Sequence, residues 1–172
     1  ESPLMVEWQF FPKSKRMPDH LGDVVEVFRK NFPAIASHER KLTSDGVLSV
    51  LREDLSVQGF TVEKGSRGSE RIKVPVLFGR QGRVEKHFDA DAFHAGTGTV
   101  LEVEAGRGVL NNQFLKDLFE ACMMHNARWL VIAVRRVYLK QRDFETVTIF
   151  FDTLYASGRR QLPLEGILVV GY

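Results

Sequence analysis

The chain reads as an α/β protein, a central mixed sheet with helices on both sides. Three observations predict this class. Stretches of helical period occur near both ends, a block of short segments separated by glycine turns fills the middle, and two continuous apolar runs, Trp129 to Val134 and Gly166 to Val170, have the character of buried strands.

The elements follow in order. His20 to Phe32 places Leu21, Val24, Val25, Val27 and Phe28 on a helical stripe that Pro33 ends. Ser44-Asp45-Gly46 opens a second helix, continued by Val47, Leu48, Val50, Leu51 and Leu55 as far as Gly59. Phe60 to Glu63 and Ile72 to Phe78 read as strands, joined through the polar turn Gly65 to Ser69. Gly79-Arg80-Gln81-Gly82 then turns the chain into a single strand from Val84 to Phe93. That strand returns through His94-Ala95-Gly96-Thr97-Gly98 to a strand from Thr99 to Glu104, completing an antiparallel meander. Gly106 and Gly108 break the pattern. Asn111 to Met124 is helical, with Phe114, Leu115, Leu118, Phe119, Ala121 and Cys122 on one face. The strand Trp129 to Val134, a helix from Phe144 to Tyr155 and the strand Gly166 to Val170 complete the order, while Trp8, Phe10 and Phe11 read as core residues.

With 172 residues and no repeat or linker, one domain over residues 1–172 is expected. An apolar share of 44% beside 27% charged residues is ordinary for a globular protein, and no apolar run approaches the roughly 18 residues that span a bilayer. Cys122 is the single cysteine and the first residues lack a secretory pattern, so a cytoplasmic location is expected. A net charge of +2 does not by itself call for a polyanion partner. The basic groups at Lys13-Ser14-Lys15-Arg16 and at Arg135-Arg136 with Lys140 and Arg142 read as solvated surface. His38, His87, His94 and His125 lack the spacing of a zinc site.

The chemistry concentrates in residues 88 to 106. Alternation along a strand puts Asp89 and Asp91 on one face of the first strand, and Glu102 and Glu104 on one face of the next, about 7 Å apart at Cα. With the turn near Gly96 and Thr97, Asp91 is expected across from Glu102 and Asp89 across from Glu104. Carboxylates facing each other call for a cation, and Mg²⁺, which takes a few carboxylate oxygens and keeps its waters, is the natural one. An acid within the apolar stretch Val100 to Val103 costs several kcal/mol when buried unpaired, so a use for it is expected.

This order of elements, with Asp89 or Asp91 followed by Glu102-Val103-Glu104, resembles the PD-(D/E)xK nuclease superfamily over roughly residues 44 to 135. The resemblance implies a restriction endonuclease-like three-layer sandwich whose central mixed sheet combines an antiparallel meander with further strands. It also implies a Mg²⁺-dependent endodeoxyribonuclease, Mn²⁺ substituting, of the type II restriction kind. Asp89 and Glu102 then hold the metal, with Asp91 in reserve. Glu104 stands where the family's lysine is usual, an E-x-E variant, and positions or deprotonates the attacking water. Lys116, on the following helix, takes over the lysine's stabilisation of developing charge. Glu39 is a further candidate ligand. Arg107, Asn112 and Gln113 are the candidate contacts to DNA, although Asn112 also suits a helix cap. Cutting both strands with one site per chain favours a homodimer. Because Glu104 replaces the lysine, the alternative is an inactive member of the fold that binds nucleic acid or protein.

Overall fold

The computed structural model describes residues 5–65, 71–106, 109–137, 140–159 and 161–172. In chain order the elements are β1 (Glu7–Phe11), α1 (Asp19–Ile35), α2 (Ser44–Val57), β2 (Thr61–Val62), β3 (Ile72–Phe78), β4 (Val84–Ala90), β5 (Ala92–His94), β6 (Thr99–Glu104), α3 (Gln113–Met123), β7 (Trp129–Val134), α4 (Asp143–Ala156) and β8 (Gly166–Gly171). Six strands form one mixed sheet in the order β1-β8-β7-β6-β5-β2, and β3 and β4, among the described residues, pair only with each other, as an antiparallel ribbon. Strands β6, β7 and β8 run parallel, and the remaining pairs are antiparallel.

The three parallel strands are apolar because both of their faces are covered. Leu101, Val103, Val131, Ala133, Leu168 and Val170 pack against Leu21, Val25, Phe28, Leu48, Leu51 and Leu55 of α1 and α2. On the opposite face Val100, Leu130, Ile132, Ile167 and Val169 meet Phe114 and Leu118 of α3, Val147 and Phe151 of α4, and Val74 and Ala90 at the root of the ribbon. Each fully buried aliphatic or aromatic side chain contributes roughly 1.5–3 kcal/mol, so these two layers dominate the stability. Among the described residues no helix is long and apolar enough to cross a membrane.

The α/β class and the helices on both faces agree with expectation, but several elements differ. The helix over residues 19–35 runs through Pro33, which is exposed in the final turn and forfeits a single backbone bond there. Residues 7–11 are a strand paired with β8, held by Phe10 and Phe11 in the two cores. The expected single strand from Val84 to Phe93 is broken at Asp91. Its first part leaves the sheet to pair with β3, and only residues 92–94 pair with β6. The expected meander is therefore divided between two sheets, and Asp89 lies opposite Lys73 of β3, not Glu104. Phe119, expected on the covered face of α3, is 53% exposed, while Asp117 is buried in that stripe. Most of the expected turn Gly65 to Ser69, together with Gly108, lies outside the described residues.

One glycine position is set by close approach. Gly98, in the β5–β6 turn, has φ +71°, and a Cβ there would lie 2.3 Å from the Asn126 carbonyl oxygen. Its own carbonyl accepts the N–H groups of Arg128 and Trp129 at 2.7 and 3.0 Å, so the turn is tied to the start of β7.

Candidate metal centre

The break at Asp91 builds the site. The Asp91 carbonyl accepts the Glu63 N–H at 2.8 Å, and its carboxylate Oδ2 accepts the Val103 N–H, also at 2.8 Å. The side chain thus supplies the acceptor that a continued β4 would have offered to β6. Further along, the Ala105 N–H donates to Ser44 Oγ at the start of α2, which closes one wall. On the other wall α3 lays Asp117 against Glu104. The resulting cleft of about 300 Å³ is lined by Asp45, Glu63, Asp89, Asp91, Glu102, Glu104, Asp117 and Glu120, with Arg71 and Lys116 as its only cations among the described residues.

At its floor, Glu102, Glu104 and Asp117 each present an oxygen, and these oxygens lie within 4.8 Å of one another. Glu102 and Asp117 are 7% and 5% exposed, so neither charge is solvated by bulk water. Burial raises the carboxyl of Asp117 to about 10, aided by the adjacent Glu104. Glu102 is pushed well above the usual range, first by burial and then by Asp91 and Asp117. Burial likewise raises Glu63, to about 7, with Asp91 adding to it. Asp91 and Glu104 are raised for the same first reason. Proximity adds to burial: Asp91 raises Glu63 and Glu102 further, and Glu104 raises Asp117. Without a cation, burial and mutual repulsion favour the protonated forms of these carboxyls.

A divalent metal fits this donor set. All the donors are carboxylate oxygens, the preference of Mg²⁺ or Mn²⁺ over softer ions, and Asp117 Oδ2 and Asp89 Oδ1 are buried without a hydrogen-bond partner.

The expected site residues separate into three groups. Glu102, Glu104, Asp91, Asp89 and Lys116 all line the cleft. Asp89 stands at its rim, where its Oδ2 accepts from Arg71 Nη1 at 2.8 Å. Lys116 is exposed, its Nζ 3.9 Å from Glu120 Oε1. Asn112 and Gln113 open α3 without lining the cleft, and Asn112, in the left-handed region at φ 53°, makes no side-chain cap. Glu39 is away from the cleft, exposed, with its carboxylate 3.3 Å from His38. Arg107 lies outside the described residues. Asp117, Glu63, Asp45 and Glu120 were not anticipated. For Asp117 a signal existed, since an acid stands within the apolar stripe Phe114, Leu118, Ala121.

Compared with family models, curated proteins and solved structures, the chain matches none of them.

Proposed function

We propose that the chain is a metal-dependent nuclease that hydrolyses DNA phosphodiester bonds in the acidic cleft between β6 and α3. The observation that carries this reading is the convergence of Glu102, Glu104 and Asp117 on the floor of an open cleft, their oxygens within 4.8 Å. Asp91 beside Glu102, and Asp89 at the rim with Oδ1 making no hydrogen bond and lying 3.8 Å from His87 Nε2, complete the set of candidate ligands. When bound, a divalent cation such as Mg²⁺ supplies Lewis acidity toward a phosphoryl oxygen. The chain's own groups do the rest. Glu104, on the cleft floor beside Asp117, is the residue suited to position an attacking water or take its proton. The Lys116 ammonium, at the mouth of the cleft, offers positive charge to a phosphate drawn in above the acids. Cleavage of both strands of a duplex, as in a restriction-type endonuclease, calls for two such clefts and so for two chains.

A second reading has its own observation. With glutamate at 104, Lys116 is the one ammonium lining the cleft among the described residues, and it lies 3.9 Å from Glu120. This favours a member of the fold that binds metal and nucleic acid without cutting. Incubation of plasmid DNA with the protein and Mg²⁺ or Mn²⁺, beside Glu102→Ala and Asp117→Asn controls, tests both. Nicking by the parent alone supports the nuclease. Equal nicking by the controls removes the reaction from this cleft, and metal binding without nicking supports the second reading.

A further inference from the structure

The β3–β4 ribbon stands apart from the rest of the fold. Its root is packed, with Val74 and Ala90 buried, but from Leu77 to His87 every residue except Gly79 is exposed. Among the described residues it pairs with no other strand. Four cations lie along it: Lys73 near the root, Arg80 and Arg83 at the turn, and Lys86 on β4. None of the four forms an ion pair among the described residues, whereas Arg71, just before β3, is engaged with Asp89. Glu85, the one acid near the tip, is folded onto the turn, so close that a Cβ on Gly79 would lie 1.9 Å from its Oε1. Exposed apolar side chains stand among the cations, with Leu77, Phe78 and Val84 at 57%, 47% and 51%. A shift of register between Pro75 and Phe78 adds an irregularity of the kind that bends and twists a ribbon.

We propose that this ribbon enters the major groove of duplex DNA and holds the duplex over the acidic cleft. The inference rests on the nuclease reading for its choice of polyanion, and it specifies the substrate as B-form DNA. Three properties support it. A two-stranded ribbon fits the B-form major groove, about 12 Å wide, and does not fit the deep, narrow major groove of A-form RNA. Cations outside any ion pair among the described residues, one of them, Lys86, lying 5.6 Å over the Phe88 ring, interleave with exposed apolar side chains and suit a surface that meets phosphates on its flanks and base edges, including thymine methyl groups, between them. Position connects the ribbon to the chemistry: Asp89 lies on β4 and on the cleft rim, so the turn is about 17 Å away, five residues of strand at about 3.4 Å each. A duplex gripped there by positive charge would bring a backbone phosphate toward carboxylates that, without the grip and the metal, repel it.

The test compares the parent with Arg80→Glu/Arg83→Glu and with Lys73→Glu, by fluorescence anisotropy on a labelled 20-base-pair DNA duplex, with Ca²⁺ and with no metal. The same sequence as duplex RNA and as single-stranded DNA serves for comparison. The expected result is preference for duplex DNA and a loss of affinity of roughly tenfold or more in the double variant. The slope of log affinity against log salt should fall by about 0.9 for each phosphate contact removed. Unchanged affinity in the double variant, equal binding of the RNA duplex or single strand, or no duplex binding by the parent would each overturn the proposal. Mn²⁺ titration by calorimetry on the same proteins separates this from the cleft. Metal uptake that persists when the ribbon proposal fails leaves the cleft reading standing, and ribbon-dependent DNA binding without metal uptake does the reverse.

Discussion

Asp91 Oδ2 accepts the Val103 N–H at 2.8 Å, so a side chain completes the edge of β6 at the point where the preceding strand turns away. Asp91→Ala leaves that buried N–H without an acceptor, at a cost of about 1–3 kcal/mol. Asp91→Asn keeps an acceptor oxygen and should recover most of the loss. Urea denaturation of the two variants checks this, and equal stability of the alanine and asparagine forms would rule out the bond as the cause.

Raised carboxyls make the metal-free protein sensitive to alkali. Burial, the first cause in each case, pushes Glu63 up to about 7, Asp143 to about 6 and Asp117 to about 10, and holds Glu102 well above its usual value. In the unfolded chain these groups titrate near about 4. Between those limits the folded state binds more protons than the unfolded one, so stability falls as pH rises. The thermal midpoint of metal-free protein is expected to drop between about pH 5 and about pH 9. A rise over that range would falsify the assignment.

Gln and Asn imitate the protonated forms of Glu102 and Asp117, since their amides also donate a hydrogen bond. Glu102→Gln and Asp117→Asn should therefore fold within about 1 kcal/mol of the parent when metal is absent. What they should lose is stabilisation by the cation. At a hundredfold excess over the dissociation constant, Mn²⁺ is worth about 2.7 kcal/mol to a protein that binds it. Thermal melts with and without Mn²⁺ read both quantities, and a full metal shift in either variant would remove that residue from the ligand set.

Cation uptake must displace protons from the raised carboxyls of the cleft, Asp117 and Glu102 foremost. Affinity for Mn²⁺ should rise with pH through neutrality, and titration calorimetry in two buffers of different ionisation enthalpy should register at least one proton released. Heat that is the same in both buffers would mean that the metal binds elsewhere.

Gly98 is predicted to be intolerant of a side chain. Gly98→Ala combines a left-handed backbone with a 2.3 Å approach to the Asn126 carbonyl, and at least about 1–3 kcal/mol of stability should be lost. Chemical denaturation checks the magnitude, and a neutral effect would mean that the turn relaxes freely.

The parts of the fold that were legible are those where period decides. β3, β6 and β7 have the bounds expected from alternation and apolar runs. The break at Asp91 was not, because Phe88, Ala90 and Ala92 continue the same alternation across it, while a tertiary bond from Asp91 to Val103 turns the chain. In the site, Glu102 and Glu104 were visible as acids within an apolar strand. Asp117 was hidden by the opposite bias: its neighbours Phe114, Leu118 and Ala121 read as a core face, and the acid among them drew no notice. Glu63 follows a two-residue strand and carries no local signal; only the folded sheet brings it to Asp91.

The pairing of Phe11 with Ile167 in β1 and β8 has a consequence for biosynthesis. At about 5–20 residues per second, β1 leaves the ribosome on the order of ten seconds before its partner. For roughly the last 2–7 seconds of that interval the apolar edge of β7 awaits β8, as open to a neighbouring nascent chain as to its own. Crowded polysomes are therefore where this protein is most exposed to aggregation, and a chaperone that shelters β7 would act at the stage when the carboxylate-bearing elements have emerged but the sheet has not closed.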